Sequence, residues 1–271
     1  DPSSAAKCDV RSADHVLAFA SNAAVGATVV HGSGMTAKYG VAESSFSSDK
    51  IFNERGELIS TKEKGGPAFY IGRIFEKSGL PYILKTGKPI KVDIKLLENK
   101  EIGKVKEKIK TRKIPFLKNG DSPILISTIG KEWMLGNNIS QSAKIFLDIQ
   151  GYVRNLKHFG KKAFFEEPFL KSIFCLKGTA EEINYLPKEI IKNQKRKCLI
   201  ITRNSQGLII YDKGKRFLFK PKQKIRRKNT LGAGDTLFAN FVVQLLKTGD
   251  ALGSIKYAVD KTSEFLYSKD N

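Results

Sequence analysis

Short apolar runs separated by polar stretches dominate the chain from residue 120 onward. "PILIST", "KIFLDIQ", "IFCLKG" and "CLIITRN" are continuous rather than alternating. A strand buried on both faces needs that pattern, because neither of its sides meets water. Between the runs lie helix-compatible segments such as "TAEEINYLPKEIIKNQ". The alternation predicts βαβ units and a parallel sheet. Each run turns polar near its C-terminal end, at Ser127, Asp148, Lys177 and Thr202. Ligands of open α/β sheets bind beyond those ends. Together the four residues outline a site, although any one of them is equally a strand meeting solvent.

The stretch from 50 to 115 reads differently. "PIKVDIKL" alternates strictly, with Ile90, Val92, Ile94 and Leu96 on one face and Lys91, Asp93 and Lys95 on the other. That is a strand with one wet face. "IFNERGELIS" carries a turn at Arg55-Gly56 between short apolar pieces. These features predict a small antiparallel flap beside the main sheet, its strands within about 50–66 and 82–115. "KEIGKVKEKIKTRK" fits strand or helix. "GLIIYDKGKRFLFK" predicts a late hairpin around "DKGK".

Composition narrows the picture. With 271 residues, 41% of them hydrophobic, the chain can bury the core of one large domain without disulfides. Cys8, Cys175 and Cys198 have no paired spacing; the last two sit in apolar runs and read as buried thiols of a reducing, cytoplasmic setting. The three histidines have no zinc spacing. No run of about 18 uncharged apolar residues suggests a membrane span. The net charge of +21 favours anionic partners: nucleotides, phosphorylated metabolites, nucleic acids or acidic lipids. Residues 1–34 are rich in Ala, Ser and Val and end in "HGSG" just before Met35. They read as a leader or added extension preceding a domain over 35–271. The rival reading makes "ATVV" a genuine first strand.

The common phosphate signatures, GxxxxGK[ST] and a strand-borne GxGxxG, are missing. "NTLGAGDTLFAN" supplies another. Leu237, Phe238, Phe241, Val242, Leu245 and Leu246 recur at helical spacing, and Gly249 ends the helix. The turn of Gly232, Ala233 and Gly234 therefore stands at a helix N-terminus, where free N–H groups and the dipole attract anions. Asp235 repels phosphate there and makes sense as a base for an attacking hydroxyl. Complementing the helix dipole is the plainer use of a first-turn Asp. On the residues alone both readings stay open.

The stretch resembles the C-terminal signature of the ribokinase/PfkB family of carbohydrate and nucleoside kinases. "GGPAFYIGRIFEKSGL" resembles that family's Gly-Gly motif, and "SSFSSDKI" the strand end whose aspartate holds substrate hydroxyls. "LKGTAEE" is similar to its Lys-Asn-Glu segment, and "IITRNSQG" to its Thr-x-Gly-x-x-Gly loop. The likeness runs in order from residue 41 to about 265. It implies a doubly wound, mainly parallel α/β sheet flanked by helices, with a small β-sheet lid. By the same resemblance Asp235 is the general base and the amides of Gly232, Ala233 and Gly234 form the anion hole. Asp49, Gly65, Gly66 and Tyr70 would bind the acceptor. Lys177, Thr202, Asn204 and Gly207 would line the ATP site, and Glu182 would act on Mg²⁺ through water. "LDIQGYVR" resembles archaeal and inositol-kinase-like members, which adds Asp148, Gln150 and Arg154 to the acceptor site.

Several positions depart from the family. Asn229 stands where Asp is frequent, a position tied to activation by a monovalent cation. Thr179 replaces Asn, Asn204 replaces the first loop glycine, and Tyr70 replaces a substrate-binding Asn. The expected activity is ATP-dependent phosphorylation of a sugar or polyol hydroxyl. A nucleoside kinase is the alternative. A non-catalytic nucleic-acid binder using "KEKIKTRK" and "KPKQKIRRK" is the reading from another class, weakened because those runs lack interleaved aromatics. The resemblance also carries the possibility of a homodimer formed through the lid.

Overall fold

The computed structural model describes residues 27–30, 40–97, 101–114, 122–136, 144–155, 161–220 and 229–270. Its centre is a nine-stranded sheet. The strands are β1 (Ala27–Val30), β2 (Gly40–Ser44), β5 (Tyr82–Lys85), β9 (Ile124–Ser127), β11 (Ile145–Asp148), β12 (Cys175–Thr179), β13 (Cys198–Thr202), β14 (Leu208–Asp212) and β15 (Lys215–Phe219). Their spatial order is β1-β5-β2-β9-β11-β12-β13-β14-β15. The six strands from β5 to β13 pair in parallel, and β1, β14 and β15 pair antiparallel at the two edges. The continuous apolar runs thus form central strands, as their composition requires.

A second sheet of four strands stands beside it: β3 (Ser47–Phe52), β4 (Leu58–Gly65), β6 (Ile90–Leu96) and β7 (Glu101–Val105), in the order β4-β3-β6-β7. A flap is present as the alternation in "PIKVDIKL" predicts, but it is mixed rather than antiparallel: β3–β4 and β6–β7 pair antiparallel, whereas β3 and β6, separated in sequence by α1 (Gly66–Ser78) and β5, pair in parallel. Ile90, Val92 and Ile94 are buried, with Leu96 partly so, and they pack with Ile129. The segment 82–85 is not part of it. "YILK" joins the main sheet, because its partner is the equally apolar β2. The ambiguous "KEIGKVKEKIKTRK" resolves into β7 and β8 (Arg112–Ile114), and β8 pairs in parallel with β10 (Trp133–Leu135).

Helices cover both faces. On one, α1 (Gly66–Ser78), α5 (Ala233–Thr248) and α6 (Ala251–Tyr267) pack on Ala42, Leu125, Phe146, Cys175 and Ile200. On the other, α2 (Gln150–Val153), α3 (Ala180–Ile183) and α4 (Lys188–Arg196) join Val41, Ile126, Leu147, Leu176 and Leu199. The helix-compatible stretch "TAEEINYLPKEIIKNQ" holds two helices: α3 stops at Ile183, and Pro187, which a helix interior excludes, is the N-cap of α4. Helix α5 ends at Gly249 in the left-handed region, as its sequence predicts. The hairpin β14–β15 turns at Lys213 and Gly214, both with positive φ.

Of residues 1–34, "ATVV" pairs antiparallel with β5; residues 1–26 and 31–34 lie outside the described residues, as does Cys8. Most of "KPKQKIRRK" also lies outside them. Cys175 and Cys198 are buried and free, their sulfurs 3.0 Å apart on neighbouring strands. No described helix is long and apolar enough to cross a membrane.

Candidate active site

Strand order reverses between β2 and β9: the chain runs from β2 to β5 on one side, then returns to β9 on the other. Such a switch point opens a crevice at the C-terminal ends of the strands. The register places a polar row there. Ser44 lies opposite Ser127, and Asp148 opposite Lys177. Side chains alternate between faces with period two. Ser44, Ser127, Asp148 and Lys177 therefore face the same way as the core residues Ala42, Leu125, Phe146 and Cys175, toward α5. The row read from strand ends is a physical row, except that Thr202 stands farther along, opposite Thr179.

Asp235 comes down onto this row from the first turn of α5. Its Oδ1 accepts from Ser127 Oγ at 3.0 Å, and Ser44 Oγ in turn donates to the Ser127 carbonyl at 2.8 Å. Burial pushes the Asp235 carboxyl up to about 6, with Asp148 adding to it and Lys177, Ser127 and Arg154 opposing. Lys177 Nζ lies 2.5 Å from Asp148 Oδ2, and both side chains are almost fully buried. Burial works against the Lys177 charge, but Asp148 and Asp235 outweigh it and hold its pKa above the ordinary value. Asp148 is satisfied on its other oxygen by the Gln150 N–H at the start of α2, 3.1 Å away.

The turn of Gly232, Ala233 and Gly234 stands at the N-terminus of α5, as its spacing predicts. Gly232 is the N-cap of α5 at φ 79°, a conformation that favours glycine. Helical geometry leaves the N–H groups of Gly232, Gly234 and Asp235 without intrahelical acceptors. The Ala233 N–H, assigned to the anion hole by resemblance, instead donates to Thr230 O at 3.0 Å. Lys177 reaches the turn as well: a Cβ on Gly234 would stand 2.9 Å from its Nζ. A fixed ammonium and open amides thus face the same space as the Asp235 carboxylate.

Tyr70, expected at the acceptor, packs on the turn: a Cβ on Gly232 would overlap its ring, which meets Phe265 edge-on at 5.7 Å. Asp49, Gly65 and Gly66 do come together. A Cβ on Gly65 would collide with the Asp49 carboxylate, and Gly66, at φ 77°, is pressed against the Ser45 carbonyl. Asp49 is 5% exposed, and its Oδ1 has no hydrogen-bond partner among the described residues. Burial raises its pKa against the pull of Ser47 and Lys62. A buried carboxylate oxygen left open is suited to ligand hydroxyls. Arg154 donates through Nη1 to Ile129 O at 2.9 Å, close under the site, and Gln150 opens the short helix α2.

The remaining predicted residues lie along β12–β14. Thr202 ends β13, with Oγ1 3.5 Å from Gly178 O. Asn204 takes a left-handed conformation at φ 51°, standing in for the glycine it replaces. Gly207, at φ 91°, lies against the Phe219 carbonyl, where a side chain has no room. Glu182 is 5% exposed and is held by a capping box: its Oε2 accepts from Thr179 N at 2.8 Å. Among the described residues no three His, Cys, Asp or Glu cluster to bind a metal directly. A single carboxylate such as Glu182 would hold Mg²⁺ only together with donor phosphates and water, which is how that ion is usually bound.

Sequence reasoning passed over Glu43. It is fully buried on β2, with Lys85 Nζ 3.2 Å from Oε1, and burial raises its carboxyl to about 7 against the opposing pull of Lys85. Its signal was present: an acid inside "GVAES" lies in an apolar strand. The folded state binds an extra proton between the ordinary carboxyl pKa of 4.5 and about 7. Its contribution to stability is therefore present below 4.5 and lost as pH rises through 7. Glu43→Gln is expected to stabilise the protein at pH 8 by up to about 3 kcal/mol and to have little effect at pH 4.5. Denaturant titrations at the two pH values check this; an equal change at both contradicts it.

Known proteins share the fold. Residues 169–262 match the model of the pfkB family carbohydrate kinases. The matched residues include α5 with Asp235 and the turn that enters it. No curated protein sequence matches the chain. Among solved structures, the fold is similar to a pyrophosphate-dependent kinase of the ribokinase family complexed with a pyrophosphate analogue and myo-inositol. The TM-score is 0.61 at 15% identity, covering 82% of this chain and 93% of that one. Arabidopsis thaliana ribokinase complexed with ribose and ATP gives 0.56 at 15% identity, with 84% and 92% covered. The Methanocaldococcus jannaschii nucleoside kinase gives 0.54 at 15% identity, with 84% and 91% covered. The fold is ribokinase-like, as the sequence resemblance implied.

Proposed function

We propose that this chain is a small-molecule kinase, transferring a phosphoryl group from ATP to a hydroxyl of a sugar or polyol in the cytoplasm. The observation that carries the reading is the meeting of Asp235, the open amides of the α5 turn and Lys177 at the switch point. Each has a separate task. The Gly232 and Gly234 amides and the Lys177 ammonium face the charge that develops on the phosphoryl oxygens. Ser127 orients the Asp235 carboxylate, which takes the proton of the attacking hydroxyl. Asp49, with one oxygen open beside Gly65, holds a second hydroxyl of the acceptor and fixes its approach. Glu182 would hold a water of Mg²⁺, which supplies charge neutralisation to the donor when bound.

A second donor has a specific argument. The similar structure bound to myo-inositol is described as pyrophosphate-dependent. In this chain the loop after β13 carries Arg203, and Asn204 where the family's first loop glycine stands, with Arg203 Nη2 bonded to Gln206 Oε1. Pairing ATP and pyrophosphate in turn with a panel of sugars, polyols and nucleosides tests donor and acceptor together. Acceptor-dependent loss of either donor supports kinase activity; salt-sensitive nucleic-acid binding without any donor loss contradicts it.

The Asp235 pKa sets the pH profile. A base must be ionised to act, so kcat/KM is expected to be level above pH 7 and to fall about tenfold per unit below about 6. Ser127→Ala removes a hydrogen bond that lowers this pKa and should move the inflection upward. An inflection that stays in place removes Ser127 from that role.

A further inference from the structure

The segment entering the anion turn is held by a charge from the far end of the chain. Lys269 lies in the 3₁₀ turn Ser268–Asp270 after α6. Its Nζ donates to Leu231 O at 2.6 Å and to Asn229 Oδ1 at 3.1 Å. Asn229 Oδ1 also accepts from Leu231 N, so the amide and the ammonium close one small ring of hydrogen bonds. The same Nζ stands 5.0 Å over the Phe265 ring. Phe265 meets Tyr70, and Tyr70 covers Gly232. The lysine, two aromatic rings and the glycine form a continuous contact reaching the anion turn.

The family resemblance ties position 229 to a monovalent cation, and this chain does not fit one. Asn229 offers a neutral amide oxygen where a carboxylate is frequent. Its oxygen and the Leu231 carbonyl, the ligands a metal ion would use, are both taken by an ammonium of the same unit charge. The aromatic face behind Nζ suits a cation but is no ligand for a hard metal ion. A tethered ammonium delivers what a bound ion would: one positive charge at the start of α5 and hydrogen-bond order in its entering loop.

We propose that Lys269 is the resident cation of the anion turn, a positioning residue that makes phosphoryl transfer independent of monovalent metal ions. This rests on the kinase reading above. The test compares the unaltered protein with Lys269→Met, a change of similar length and shape without charge, and with Lys269→Arg. Turnover is measured in KCl, NaCl, NH₄Cl and tetramethylammonium chloride at equal ionic strength. The wild type should vary within about twofold across the salts. Lys269→Met should lose about tenfold in kcat with a smaller change in KM, and recover in K⁺ or NH₄⁺ but not in tetramethylammonium. Lys269→Arg should need no rescue.

A second readout needs no substrate. In thermal unfolding of the protein alone, K⁺ over tetramethylammonium should raise the midpoint of Lys269→Met and leave the wild type unchanged. This separates the two proposals: if no donor is ever consumed, ion-selective stabilisation of the variant still reports the site. Activation or selective stabilisation of the wild type by K⁺ overturns the inference. So does a Lys269→Met variant that shows no ion response.

Discussion

Asp235→Asn should lower turnover by about 10²–10⁴-fold and leave donor binding nearly intact. The substitution keeps the shape of the side chain and its place at the start of α5. The amide oxygen can still accept from Ser127, so the local structure is retained. What disappears is a carboxylate able to take a proton, together with a negative charge beside the incoming phosphates. The second change favours donor binding, so KM for the donor should stay level or fall while kcat collapses. A parallel loss of kcat and donor affinity would instead mean that Asp235 merely organises the turn. Stability should not suffer, since the asparagine removes a buried carboxylate whose ionisation burial disfavours.

The second large effect concerns the Lys177–Asp148 pair. Lys177→Met leaves the Asp148 carboxylate buried without its partner, a situation that costs about 3–5 kcal/mol. The variant should also lose most of its turnover, because the ammonium beside Gly234 is gone. Lys177→Met combined with Asp148→Asn separates these effects. Removing both charges should recover most of the stability, as replacing a whole buried pair is often neutral. Turnover should stay low, because the phosphoryl oxygens still lack their cation. Recovery of both in the double variant would make the pair purely structural.

Much of the site was legible because it follows from simple periodicities. Continuous apolar runs identified β9, β11, β12 and β13, and Ser127, Asp148 and Lys177 lie in one row because parallel strands expose those ends together, with Thr202 farther along. Helical spacing after Gly234 put Asp235 in a first turn, which is where it lies. Asp49 and Gly65 were grouped by resemblance, and the carboxylate against the glycine gives that grouping a steric reason. What was not legible has physical causes as well. The packing of Tyr70 on Gly232 and Phe265 gave no signal, because it is a contact between three distant segments. The Ala233 amide was counted as free because capping by Thr230 O depends on how the loop enters the helix. Lys269 gave no signal at all: one lysine among many near the end of a strongly basic chain is marked only by where it folds.

The account stands most directly on a ³¹P NMR spectrum of the wild type with Mg²⁺, a phosphoanhydride donor and a sugar or polyol acceptor, recorded beside Asp235→Asn. ATP and pyrophosphate are run separately, with myo-inositol, ribose and a nucleoside among the acceptors. The account predicts a new phosphomonoester resonance that grows only when an acceptor is present and is reduced at least a hundredfold in rate in the variant. Donor hydrolysis to inorganic phosphate without any phosphomonoester, or equal phosphomonoester formation by the two proteins, would contradict it.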